Sequence, residues 1–234
     1  MIIQILLWII ATLAVCSFSA IVAKKYGVVY IVGITVSLIV MANVLASKIV
    51  NFGPFVVPGG VIVFSMTFLL TDIISEHWGQ KLAKKTVWTG FYALAVYIIS
   101  TWIVLAWSSP EFGIASAEQF KTLLGLTPRI AIASMIGYLV GQHHDVWSFH
   151  YWKNKTKGKH LWLRNNASTI VSQFIDSTLF ITIAFYGILP IWPLILGTWI
   201  SKTVIALMDT PFMYLIISML KKIDKKKILK TTNE

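Results

Sequence analysis

The chain is poor in charge and in cysteine. Only 12% of its 234 residues are Asp, Glu, Lys or Arg, about half of the roughly 25% found in soluble globular domains. Against that scarcity, 57% are hydrophobic and mean hydropathy is +0.76, a balance that points to an integral membrane protein. A single cysteine, Cys16, excludes an internal disulfide framework and any cysteine-rich metal site. There is no G-x-x-x-x-G-K-[ST], so coupling to ATP requires a partner subunit. G-x-S-x-G and H-E-x-x-H are also missing. No enzymatic activity and no cofactor are therefore expected.

The formal net charge is +11, but the lysines stand in short clusters between apolar runs. That is where a membrane protein meets anionic lipid and the cytoplasm, and no soluble basic domain remains to bind nucleic acid. The apolar runs are Met1 to Ala23, Val28 to Ser47, Val61 to Ser75, Thr86 to Trp107, Pro128 to Trp152, Asn166 to Tyr186 and Trp192 to Leu220. Each is near the roughly 20 residues that span a bilayer, so an all-α polytopic protein with seven spans is expected. Met1 to Ala23 has no basic residue before Lys24 and reads as a retained helix, not a secretory signal. N-F-G-P-F-V-V-P-G-G, Asn51 to Gly60, reads as a turn or re-entrant dip. Ser108 to Thr127 is mildly amphipathic and is expected on the membrane surface, and the tail beyond Leu220 is expected to fray. With these spans, 16 of the 20 Lys and Arg residues fall on one side. The positive-inside rule then places the N-terminus outside and the C-terminus in the cytoplasm of a cell-membrane protein.

Polar residues inside the apolar runs carry the functional signal, because ionisable groups are costly there. Helical spacing puts Thr169, Ser172, Gln173 and Asp176 within one arc, Tyr138, Gln142 and Asp145 on another, and Lys202 and Asp209 on a third. With Asn43 and Asp72 these stripes can line one cavity. Asp176 and Lys202 both lie near mid-span, and pairing lowers the cost of each. Such a pair also serves a purely architectural role, that of a membrane scaffold or binding subunit. Asp72 and Asp145 lie nearer inner ends, where snorkelling to the interface is cheap. Arg129, at an outer end, suits a headgroup anchor or a cavity mouth. His143 and His144 are adjacent and diverge by about 100° on a helix, which opposes joint metal binding, and no metal site is expected.

Several segments in order resemble the vitamin uptake transporter or queuosine-precursor transporter group: F-L-L-T-D-I-I-S-E-H-W-G (Phe68 to Gly79), P-R-I-A-I-A-S (Pro128 to Ser134), G-Q-x-x-D (Gly141 to Asp145), A-S-T-x-x-x-x-x-x-D-S (Ala167 to Ser177) and the Lys202 helix. The resemblance implies a six-helix transporter core, residues 28–220, like the substrate-binding subunits of energy-coupling-factor transporters. Residues 1–27 are then an added N-terminal helix and 221–234 a basic cytoplasmic tail. It also implies import of a 7-deazaguanine base: 7-cyano-7-deazaguanine, its aminomethyl form, or queuine. The residues suit such a ligand. Asp176 or Asp72 can accept from a guanine-like N1-H and amine, while Gln142, Gln173, Asn43 or Lys202 can donate to O6. Tyr138, Phe180 or Trp199 can stack on the bicycle. Arg129 and Asp145 complete the expected substrate-binding set. Another flat solute, such as a vitamin, fits these stripes equally, and a homo-oligomer or an energising partner is left open.

Overall fold

The computed structural model describes residues 2–125, 128–188 and 190–232. It contains helices α1 (Ile2–Tyr26), α2 (Val29–Leu45), α3 (Val61–His77), α4 (Gln80–Ala106), α5 (Ile114–Leu124), α6 (Pro128–Lys155), α7 (Leu161–Phe185) and α8 (Ile191–Thr232), with a hairpin of β1 (Ile49–Phe52) and β2 (Phe55–Pro58). A lipid solvent dictates this: with no water to satisfy backbone N-H and C=O groups, a helix closes its own hydrogen bonds. Outward faces are correspondingly apolar, as at Leu7, Phe18, Tyr92, Val96 and Ile99. The chain is a multi-pass membrane protein. Helices α1, α4, α7 and α8 are long and apolar enough to cross a bilayer alone, and α5 with α6 makes a fifth candidate. At 17 residues each, α2 and α3 stand at the lower limit of a span. By length and composition alone, four helices among the described residues qualify as spans, or five with α5 and α6 taken together.

Helix α3 is the axis of the bundle, packing against α1, α2, α4, α6, α7 and α8. Every residue from Val61 to Ser75 except Phe64 is buried. Helix α1 joins this core through Ile9, Leu13, Cys16 and Ala20, a stripe spaced by four, three and four residues. It packs against α2, α3 and α8.

The turn expected in Asn51 to Gly60 takes the form of a hairpin, with Ile49 to Phe52 paired antiparallel to Phe55 to Pro58; two other expectations are corrected. Gly53 turns the hairpin at φ +60°, a conformation open to glycine, and alternating side chains seat β2 against α8. The segment beyond Leu220 does not fray but prolongs α8 to Thr232, and Asp224 ion-pairs with Lys24 and lies 3.6 Å from His77. Asp72 and Asp145 do not snorkel, because both are fully enclosed by neighbouring helices. The amphipathic segment is helical from Ile114 to Leu124 with no buried residue, while its last two positions, Leu126 and Thr127, lie outside the described residues.

The bundle has two distinct ends. Helix α3 starts beside the hairpin and finishes at Glu76 and His77. There Glu76 meets Arg164 at 2.8 Å and Lys153 at 3.0 Å, next to the Lys24–Asp224 pair. This ionic end is opposite the hairpin end.

Candidate functional site

A cavity of about 80 Å³ lies under the hairpin, room for on the order of five water molecules. Asn43 of α2, Phe64 of α3, Ser134 of α6, Asp176 and Phe180 of α7, and Thr198 and Lys202 of α8 line it, with Pro58 and Gly60 at the hairpin side. Five helices therefore converge on one space whose walls are apolar and whose polar groups are few.

Asp176 and Lys202 form the buried pair that their depth demands, with Lys202 Nζ donating to Asp176 Oδ2 at 2.5 Å and to Ser177 Oγ at 3.2 Å. The ammonium also stands 4.7 Å from the centroid of the Phe64 ring, within cation–π range. Close helix packing sets the position of Asp176. Gly137 and Gly141, one turn apart on α6, face α7, and a Cβ built at Gly141 would meet Asp176 Cβ at 2.9 Å. Small residues four apart let membrane helices approach this way. Nearby, Ser134 Oγ donates to Asn43 Oδ1 at 2.8 Å, tying α6 to α2, and Asn43 Nδ2 donates to Ile39 O. Thr198 Oγ1 has no hydrogen-bond partner.

Of the residues named from sequence, the structure brings Asn43, Asp176 and Lys202 into this cavity. Tyr138 sits beside it, its hydroxyl donating to Val87 O and its ring edge-on to Phe64. Gln142 clamps α6 to α3, its Oε1 accepting from Thr71 and its Nε2 donating to Thr67 Oγ1. Gln173 is fully buried, and neither amide atom has a partner. Asp72 and Asp145 meet at Thr169, nearer the ionic end. Arg129 closes the C-terminus of α7, donating to Ile183 O and Tyr186 O, where cations are favoured. Among the aromatic candidates Phe180 lines the cavity, whereas Trp199 donates to Ile170 O and packs on Phe174. His143 and His144 hold separate partners, Leu139 O and Ser172 Oγ.

Sequence reasoning missed Phe64, Ser134 and Thr198. Ser134 had a signal, being the last residue of P-R-I-A-I-A-S. Phe64 read as ordinary core, and membrane-helix hydroxyls such as Thr198 usually bond their own backbone.

Comparison with known proteins identifies the family. A family model described as "Putative vitamin uptake transporter" matches residues 58–216. The chain belongs to that family. Its match runs from the end of the hairpin into α8 and takes in every cavity residue from Pro58 onward. A Bacillus subtilis protein named "Probable queuosine precursor transporter" is 30% identical over 179 residues, 75% of this chain and 78% of that protein. A Haemophilus influenzae protein of the same name is 30% identical over 128 residues, 54% of this chain and 51% of the relative. No solved structure matches. The family is one of transporters, not of enzymes.

Proposed function

We infer that this protein imports a queuosine or archaeosine precursor, a 7-deazaguanine base, through the cavity under the hairpin. The observation that carries the reading is the convergence there of a carboxylate, an ammonium and an amide in a cavity also lined by two phenyl rings. A guanine-like edge offers N1-H and an exocyclic amine to Asp176, which can accept both, and its O6 accepts from Lys202 or Asn43. Phe64 and Phe180 supply flat apolar contact for the bicycle. Thr198, unpartnered in the wall, offers a further hydroxyl.

In this reading the hairpin end faces outward and the ionic end lies in the cytoplasm, N-terminus out and C-terminus in. Residues 28–220 form the transport unit, α1 braces it, and the basic tail borders the inner leaflet. The names of the two relatives support the solute class; the family description favours a vitamin as the second candidate.

The test is nutritional. A cell unable to make 7-deazaguanines, given one externally, should regain the modified nucleoside in its tRNA only when this protein is present. Rescue by none of the three bases removes the solute assignment, and gain of vitamin uptake in the same cells installs the second candidate.

A further inference from the structure

A second polar layer lies toward the ionic end. Asp176 to Thr169 on α7 and Lys202 to Asp209 on α8 are each seven residues, about 10 Å along a helix. At that level Asp72 of α3, Asp145 of α6 and Asp209 of α8 converge, all buried. Thr169 Oγ1 is 3.3 Å from Asp72 Oδ2 and 3.4 Å from Asp145 Oδ1, and its one proton can serve only one of them. Asp72 and Asp145 thus approach each other across Thr169, while the Ser168 and Ser172 hydroxyls are spent on backbone carbonyls of α7. Asp209 accepts from Asn165 Nδ2 at 3.2 Å.

Among the described residues no ion pair offsets this layer: all of them involve Asp224, Glu76 or Asp176, and none involves these three carboxylates. The other titratable groups near it are the buried thiol of Cys16 on α1, beside Asp209, and His144 on α6, whose Nδ1 lies 2.9 Å from Ser172 Oγ. Oxygen valences are left open: Asp72 Oδ1 and Asp145 Oδ2 have no partner. Independently of the carboxylates, Asn165 is almost wholly buried and held into the cluster by its bond to Asp209, yet its Oδ1 is also unpartnered. A buried amide oxygen left without a partner in a layer of buried carboxylates supplies the oxygen donors that a small cation takes, and adjacent buried carboxylates cannot both stay ionised without one.

We propose that Asp72, Asp145 and Asn165 hold a co-transported monovalent cation, a proton or a sodium ion, that couples solute import to a gradient. Between this layer and the solute cavity stands Gln173, buried with both amide atoms free. It shares a face with Thr169 and Asp176 and is the residue through which each site senses the other. The coupling role rests on the import reading above; the cation site does not.

Two measurements keep them apart. The first needs no solute: full-length protein in lipid nanodiscs, sodium-free and at neutral pH, is followed by infrared absorption of protonated carboxyl groups and by thermal unfolding. A proton site gives a carboxylic C=O band that Asp72→Asn or Asp145→Asn removes and sodium leaves unchanged. A sodium site gives a rise in Tm with NaCl but not KCl that the same variants abolish. Absence of both the band and the sodium-specific rise overturns the proposal. Should the variants not fold, Asp209→Asn substitutes, because loss of the neighbouring charge must shift the band or the sodium midpoint; an unmoved signal overturns it equally. The second uses proteoliposomes and labelled 7-aminomethyl-7-deazaguanine, where wild type is expected to take up at least tenfold more with an imposed proton or sodium gradient than without. A ratio near one overturns the coupling, while no uptake under any gradient overturns the solute reading and leaves the first measurement to decide the cation site.

Discussion

Lys202 Nζ and Asp176 Oδ2 are 2.5 Å apart, both side chains almost wholly enclosed, at the floor of a cavity bounded by five helices. Removing one partner of a buried pair leaves the other charge uncompensated, at a cost of ~3 to 5 kcal/mol. Asp176→Asn and Lys202→Met should each lower the thermal midpoint strongly, whereas the double variant should recover much of the loss. Uptake should stay absent in all three, because the acceptor for the solute edge is gone or misplaced. A double variant as unstable as the sum of the singles would show that the two residues act independently.

Gly141 holds α6 and α7 together at the level of Asp176. A methyl group there must displace Asp176 Cβ, 2.9 Å away. Gly141→Ala is expected to cost about 1 to 3 kcal/mol as overpacking and to raise the KM for solute more than it lowers expression. Gly33, with open space around its Cβ position, is the control: Gly33→Ala should leave both KM and melting temperature near wild type.

At the ionic end Glu76 meets Arg164, whose side chain is 3% exposed. Glu76→Gln removes the only carboxylate paired with Arg164 among the described residues and should cost on the order of 3 kcal/mol. Because buried charges are weakly screened, the difference in Tm between wild type and variant should change little from 50 mM to 500 mM salt. A difference that vanishes at high salt would reclassify the pair as a solvated surface contact.

Orientation is tested by thiol labelling in a Cys16→Ala background. Asn51→Cys, exposed on the hairpin, should react with a membrane-impermeant maleimide in intact cells. Lys157→Cys, exposed in the loop between α6 and α7, should react only after permeabilisation. The opposite pattern would invert the whole assignment of cavity and ionic end.

Much of this was legible in the sequence for a physical reason: an ionisable residue at mid-span has few ways to exist. Asp176 and Lys202 had to meet something, and each supplied what the other required. Depth and layer were harder. Asp72 and Asp145 sit near helix ends in sequence, which reads as snorkelling, but α3 is surrounded by other helices and offers no route to the interface. Spacing placed Tyr138, Gln142, Gln173, Asp176, Lys202 and Asp209 on inward faces, yet could not say that they divide between a cavity and a second layer about 10 Å away. The hairpin was hidden by its own glycine and prolines, which mark breaks more strongly than the short alternation around them marks strands. The length of α8 was hidden by lysines, whose charge masks a helix tied down through Asp224.

The central claim is that the cavity carries a 7-deazaguanine across the membrane, and uptake by the purified full-length protein in liposomes tests it most directly. With proton and sodium gradients both imposed, labelled 7-aminomethyl-7-deazaguanine should enter, unlabelled 7-cyano-7-deazaguanine or queuine should compete, riboflavin and thiamin should not, and Asp176→Asn should reduce entry to the level of protein-free liposomes. Entry that equals the protein-free level in wild type, or that is unchanged by Asp176→Asn, would contradict it.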